Sequence, residues 1–217
     1  MKKDFFEIVM ILDRSGSMGH LQTDTIGSCN KFIKEQKALP GTARLTLMVF
    51  DTDRKFLIEG ANLANVSDDF LNKNNYYPDG NTALYTAVCE AMDKVGRRLA
   101  ETPEAERPEQ VICVIVTDGE ENSSHMTEPP YTFLDTQKRI KTQTEAYNWK
   151  IMYLGTDIMQ MKHAANLGIA PQSMLKYTPD TKGVQALYCA TSDAVRSIRG
   201  HALSGTNLAD YQTKSNP

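Results

Sequence analysis

The sequence predicts one doubly wound α/β domain: a mainly parallel sheet of about six strands, one antiparallel strand at its edge, and helices on both faces. Three observations carry that prediction. Two apolar runs, Phe5 to Leu12 and Val111 to Val116, are nearly or wholly unbroken, as strands buried on both faces require. Strand-like and helix-like patterns alternate along the chain without a break in composition. A very short connection, Asp51-Thr52-Asp53, joins two strand-like segments, and such a connection implies an antiparallel hairpin.

Each element follows from its pattern. The first strand, Phe5 to Leu12, stops at the polar loop Asp13-Arg14-Ser15-Gly16-Ser17-Met18. A helix with Ile26, Cys29, Phe32 and Ile33 on one face comes next and ends before Pro40-Gly41. Ala43 to Phe50 and Lys55 to Ile58 form the hairpin. A loop rich in Asn and Asp leads through Tyr76-Tyr77-Pro78-Asp79-Gly80-Asn81-Thr82 into a helix whose apolar positions are Leu84, Val88, Ala91, Met92, Val95 and Leu99. Thr82 is expected to open that helix. Val111 to Val116 ends in a second polar loop, Thr117-Asp118-Gly119-Glu120. Phe133 to Tyr147 reads as a helix, Lys150 to Leu154 as a strand, and Ile158 to Leu167 as a short helix capped by Gly168. Ser173 to Tyr177 is the last strand, and Val184 to about Ala202 the last helix. The domain is expected over residues 1–203, with a polar tail over 204–217.

Composition narrows the function. With 41% hydrophobic residues among 217 the chain can bury a true core, and a net charge of −3 leaves no footprint for nucleic acid or an anionic membrane. The clusters Arg97-Arg98 and Lys138-Arg139 read as solvated helix faces. The apolar run after the charged N-terminus is too short for a signal peptide or a membrane span. Cys29, Cys89, Cys113 and Cys189 are far apart and lack metal spacing, so all four read as buried thiols in a reducing compartment, and a cytoplasmic location is expected.

The two polar loops carry the chemistry. Asp13, Ser15 and Ser17 alternate at the end of a buried strand, so their oxygens can converge on one point. Asp118 follows the other buried strand, and Thr82 lies at a helix start on the same edge of the sheet, where ligands of open parallel sheets bind. Gly16 is expected to let the first loop turn tightly. Carboxylates with hydroxyls form a hard, all-oxygen set that suits Mg²⁺, or else Mn²⁺ or Ca²⁺. Asp79, Glu120 and Glu121 are candidates for bonding metal-bound waters, and Arg14, Met18, His20 and Tyr77 for lining the rim. His125, His163 and His201 have no motif around them and read as surface residues.

Asp13-x-Ser15-x-Ser17-Met18, Gly80-Asn81-Thr82-Ala83-Leu84 and Val116-Thr117-Asp118-Gly119 together resemble the three-part metal-ion-dependent adhesion site of von Willebrand factor A domains. All five ligand-type positions, Asp13, Ser15, Ser17, Thr82 and Asp118, match in order. The resemblance implies a non-enzymatic module of the stand-alone bacterial or phage type, which holds a divalent cation and captures a carboxylate of a protein partner inside an intracellular assembly. Such a ligand set has at most two carboxylates, so the cation keeps its pull on an incoming acid. Two alternatives stand beside this reading. One is a Mg²⁺-dependent phosphohydrolase with Asp13 as nucleophile, but that pattern needs a second acid where Ser15 stands. The other is a scaffold whose metal only ties loops together.

Overall fold

A computed structural model describes residues 1–200. The expected end of the last helix near Ala202, the surface reading of His201 and the polar tail lie outside the described residues. Six strands, β1 (Lys2–Asp13), β2 (Thr42–Phe50), β3 (Arg54–Asn62), β4 (Pro108–Val116), β5 (Lys150–Gly155) and β6 (Met174–Lys176), form one sheet in the order β3-β2-β1-β4-β5-β6. Every pairing is parallel except the β2–β3 hairpin at the edge.

The helices α1 (Gln22–Lys37), α2 (Leu84–Glu101), α3 (Phe133–Glu145), α4 (Ile158–Asn166) and α5 (Thr181–Arg199) pack on both faces. Alternation along β1 decides which residue meets which layer. Phe6, Ile8, Met10 and Leu12 bury against Cys29, Phe32 and Ile33 of α1 and Val184, Leu187 and Val195 of α5. Val9 and Ile11 face Leu84, Val88 and Met92 of α2, Ile140 of α3 and Ala164 of α4. Both faces of β1 and β4 are therefore dry, which is why their sequences are nearly continuous in apolar residues. Among the described residues no helix is long and apolar enough to cross a membrane.

Several local expectations change. β3 runs on past Ile58 to Asn62, because its register with β2 shifts twice and Gly60 adopts a φ of 63° open to glycine. That shift has a purpose in packing: a Cβ on Gly60 would stand 2.1 Å from Nη1 of Arg98. Arg98 is not a solvated charge, since its Nη2 lies 2.6 Å from Oε1 of Glu7, a fully buried residue of β1. Arg139 likewise holds Asp93 through two bonds of 2.8 Å. Of the cysteines, Cys29, Cys89 and Cys113 are buried free thiols, while Cys189 is half-exposed beside Lys31. Burial pushes the Cys29 and Cys113 thiols up to about 12.

The strand order reverses between β2 and β4 on either side of β1. The loops after β1 and β4 therefore open side by side at the topological switch point.

Candidate metal centre

Asp13 is the last residue of β1, and its side chain is buried at the switch point. One carboxylate oxygen, Oδ1, accepts the backbone N–H of Ser15 at 2.7 Å, the local turn that aspartate favours. The other, Oδ2, accepts the Thr117 hydroxyl at 2.5 Å. Tyr76 donates its hydroxyl to the Asp13 carbonyl at 2.7 Å, so backbone and side chain are both held. Burial pushes the Asp13 carboxyl up to about 6; the bonds from Ser15 and Thr117 oppose that shift, and the nearby Asp118 adds to it.

Ser15 is buried, and its hydroxyl lies 3.2 Å from that of Ser17. Ser17 is exposed and donates its hydroxyl to Oδ1 of Asp118 at 2.6 Å. Asp118, half-exposed, is also pushed up by burial, against the pull of the Ser17 hydroxyl and of His20. A chain of oxygens thus runs Ser15, Ser17, Asp118 across the two loops.

The third loop arrives through Thr82. The helix starts at Leu84, so Thr82 stands two residues before it, where its backbone is bonded to another loop. Asn122 Oδ1 accepts the Thr82 N–H at 2.8 Å, and the Thr82 carbonyl accepts from the N–H groups of Asn122 and Ser123 at 3.0 and 3.3 Å. The side chain is delivered to the site: a Cβ on Gly119 would stand 2.8 Å from Thr82 Oγ1 and 3.6 Å from Asp13 Oδ2. Glycine at 119 is what lets the second and third loops close on Asp13. Gly80 is needed too, with a φ of 67° and a Cβ position 2.9 Å from Thr52 Oγ1. Gly16, by contrast, has ordinary room and no left-handed backbone, so the expected tight turn does not depend on it. Its N–H instead donates to the Gly80 carbonyl at 3.1 Å.

The five predicted residues therefore meet at one edge, and the donor set fits a hard divalent cation. Two carboxylates and three hydroxyls come from three loops, and the charged neighbour that most raises Asp13 is another acid. Among the described residues no group of three or more His, Cys, Asp or Glu is placed to hold a metal.

The neighbours sort differently from expectation. Glu121 does not face the site; its carboxylate accepts from Tyr85 N–H, Ser123 N–H, Ser124 N–H and the Ser124 hydroxyl at 2.7 to 2.9 Å, stapling the β4–α3 loop to the start of α2. Asp79 accepts the N–H of Gly80 at 2.8 Å, and Glu120 is exposed. Arg14 is buried, with Nε 2.8 Å from Asp51 Oδ2 and its guanidinium 4.9 Å from the ring of the exposed Tyr77. Met18 is core. His20 bridges the carbonyls of Ser17 and Pro179. His163 is half-buried, stacked on Tyr85 with centroids 5.6 Å apart. Sequence reading misses Thr117, Tyr76 and Asn122 as supports of the site. The only signal is a hydroxyl directly after an apolar strand, and that marks Thr117 alone.

Large apolar side chains are exposed on the same edge of the sheet as the site, beside polar groups such as Ser17, His20 and Glu120. Of the seven exposed large apolar side chains among the described residues, Tyr77, Met126, Leu134, Ile158 and Met159 lie on loops or helix starts at this same edge.

No family model matches this chain, and no curated protein does. Solved structures do. The PilB minor pilin from Streptococcus sanguinis aligns with a TM-score of 0.66 at 13% identity, over 92% of this chain and 63% of the pilin. The vWF domain of the type V pili tip protein Mfa5 from Porphyromonas gingivalis aligns at 0.63 and 12% identity, over 94% of this chain and 98% of that domain. Manganese-loaded TRAP protein of Plasmodium vivax aligns at 0.59 and 17% identity, over 86% of this chain and 73% of that one. This chain therefore spans less than two thirds of the pilin but matches the Mfa5 domain nearly end to end. The fold is that of a von Willebrand factor A domain.

Proposed function

We propose that this chain is a divalent-cation-dependent protein-binding module of the adhesion-site type. Asp13, Ser15, Ser17, Thr82 and Asp118 hold the cation, Mg²⁺ before Mn²⁺ or Ca²⁺, and a carboxylate of a protein partner completes its shell. One observation carries the reading: three loops bring two acids and three hydroxyls to one edge, Thr82 and Asp13 beside Gly119 and Ser15, Ser17 and Asp118 in a bonded chain, with Asp13 buried and another acid as its charged neighbour. When bound, the cation supplies the positive charge that these two acids lack and an open position for an acidic side chain. Asp13 and Thr117 keep the inner side of the site rigid, while Ser17 and Asp118 face outward.

A protein partner is consistent with the large apolar side chains exposed on loops and helix starts at this edge, Tyr77, Met126, Leu134, Ile158 and Met159. The aligned pilin and pilus-tip structures agree with a binding role, and the manganese-loaded neighbour with a divalent metal on this fold. An intracellular setting is favoured by four free thiols, three of them buried. The phosphohydrolase alternative is disfavoured because Ser15, at the place of its second acid, has its hydroxyl 3.2 Å from that of Ser17 and brings no acid to protonate a leaving group.

Immobilised protein exposed to a native extract in Mg²⁺ and in EDTA tests the reading. Partner capture is expected in Mg²⁺ only, and an Asp13→Ala variant that keeps its circular dichroism spectrum is expected to capture nothing. Capture that persists in EDTA or in Asp13→Ala overturns the proposal. A rise in melting temperature with Mg²⁺ but unchanged capture assigns the metal a purely structural role.

A further inference from the structure

The fourth loop at this edge, between β5 and α4, contributes none of the five predicted ligand residues, yet it is bonded directly to one of them. Gln160, in the first turn of α4, is 3% exposed. Its amide Nε2 donates to the carbonyl of Asp118 at 2.9 Å. Its Oε1 accepts the N–H of Thr156 at 2.7 Å, and the Thr156 hydroxyl lies 3.4 Å from the same Asp118 carbonyl. The backbone of Gln160 is fixed as well, because Asp157 caps the helix by accepting the Gln160 N–H at 2.9 Å. Gly155 makes the space: a Cβ there would stand 2.7 Å from Oε1 of Gln160.

Asp118 needs such a hold. It is the more exposed of the two acids, and the side chain that donates to its carboxylate, Ser17, is itself exposed. Asp13 is braced at the carbonyl by Tyr76 and at the carboxylate by Ser15 and Thr117. The corresponding brace for Asp118 is the Gln160 amide. A planar amide that gives one hydrogen bond and takes another, both ends being buried, sets the backbone direction from which the Asp118 carboxylate projects.

We propose that Gln160 is a positioning residue for the cation site, holding the Asp118 loop at the spacing where Asp13, Ser17 and Asp118 share one ion. This rests on the reading of Asp118 as a member of that site. Groups that orient metal ligands change affinity by about tenfold or more when lost, and Gln160 acts on a ligand's backbone.

The test uses Mn²⁺ as probe, followed by electron paramagnetic resonance, on the wild type, Gln160→Met, Leu167→Ala and Asp13→Ala. Gln160→Met keeps the side-chain length but removes both hydrogen bonds. Leu167→Ala removes a buried side chain at the other end of α4 and destabilises the helix packing without touching the amide. Gln160→Met is expected to raise the Mn²⁺ Kd about tenfold. Leu167→Ala should leave Kd within about twofold even though its melting temperature falls at least as far as that of Gln160→Met. In metal-free protein, amide exchange at Asp118 and Gly119 should quicken in Gln160→Met alone. An unchanged Kd in Gln160→Met, or an equal loss of affinity in Leu167→Ala, overturns the proposal. Should the wild type bind Mn²⁺ no better than Asp13→Ala, the cation reading itself fails. The proposal would fall with it, and faster exchange confined to Gln160→Met would then show only that Gln160 holds the Asp118 loop in place.

Discussion

Strand β1 carries two fully buried acids six residues apart, Glu7 and Asp13, and the protein treats them in opposite ways. Burial pushes both carboxyls up. Glu7 is answered from within the fold: Arg98 lies 2.6 Å away, and the Thr46 hydroxyl donates to the same oxygen at 3.0 Å. Asp13 is met by neutral donors, Ser15 and the Thr117 hydroxyl, while a second acid, Asp118, approaches from the next loop. The first is a closed ion pair. The second is a negative site left open at the end of the sheet where ligands enter. The difference teaches that two equally buried carboxylates on one strand can have opposite surroundings, one facing a counter-charge of the fold and one facing a second acid.

The largest test of that contrast removes the internal counter-charge. Arg98→Met leaves Glu7 as an uncompensated acid inside the sheet, and breaking a buried pair this way costs about 3–5 kcal/mol. Urea unfolding at pH 7 should show that loss, and the loss should shrink toward pH 4, where Glu7 takes up a proton. The difference from the wild type should be the same in Mg²⁺ and in EDTA, because a cation at the far end of β1 stabilises both proteins alike. A loss below about 1 kcal/mol would mean that the pair behaves as a surface pair and that the contrast is false.

A smaller effect tests the open site. Mg²⁺ at a hundred times its Kd should raise the unfolding free energy of the wild type by about 2.7 kcal/mol. Asp13→Asn should lose that gain entirely. In EDTA, though, Asp13→Asn should be at least as stable as the wild type, since the amide still accepts from Ser15 and no longer buries a charge. Paired melts in Mg²⁺ and EDTA measure both. An Asp13→Asn protein that gains as much from Mg²⁺ as the wild type would show that the cation sits elsewhere.

Much of this contrast is legible in the amino-acid sequence, and the limits are physical. The strands that carry Glu7 and Asp13 announce themselves because a strand dry on both faces must be apolar almost throughout. The three loops are legible because alternating Asp and Ser after such a strand is costly to place without a use. Interactions between distant residues are not legible: Glu7 meets Arg98 across 91 positions, Tyr76 reaches Asp13 across 63, and Gln160 reaches Asp118 across 42. Local rules also misplace single residues. Thr82 has the look of a helix start but stands two residues before the helix and is bonded to Asn122, and the glycine with left-handed backbone is Gly80 and not Gly16. Arg98 falls on the edge of an amphipathic pattern, where only the glycine opposite, Gly60, reveals that it points inward.

The smallest effect is a slope. The Glu7 carboxyl stands above its ordinary value because burial outweighs the attraction of Arg98, leaving one carboxylate oxygen, Oε2, without a partner. A raised folded value means that the protonated form is the one the fold prefers. The stability Glu7 contributes is therefore fully present below about pH 4.5, its unfolded value, and is lost as the pH rises through the folded value. Glu7→Gln, of the same size and without the titration, removes that loss. The stability of the wild type minus that of Glu7→Gln, measured by urea unfolding in EDTA from pH 4 to pH 8, should fall with rising pH and then level off. Asp13 titrates alike in both proteins and cancels in the difference. A difference that climbs with pH would mean that Arg98 more than offsets the burial of Glu7, so that this pair strengthens the fold at neutral pH while Asp13 alone remains the acid the fold leaves unanswered.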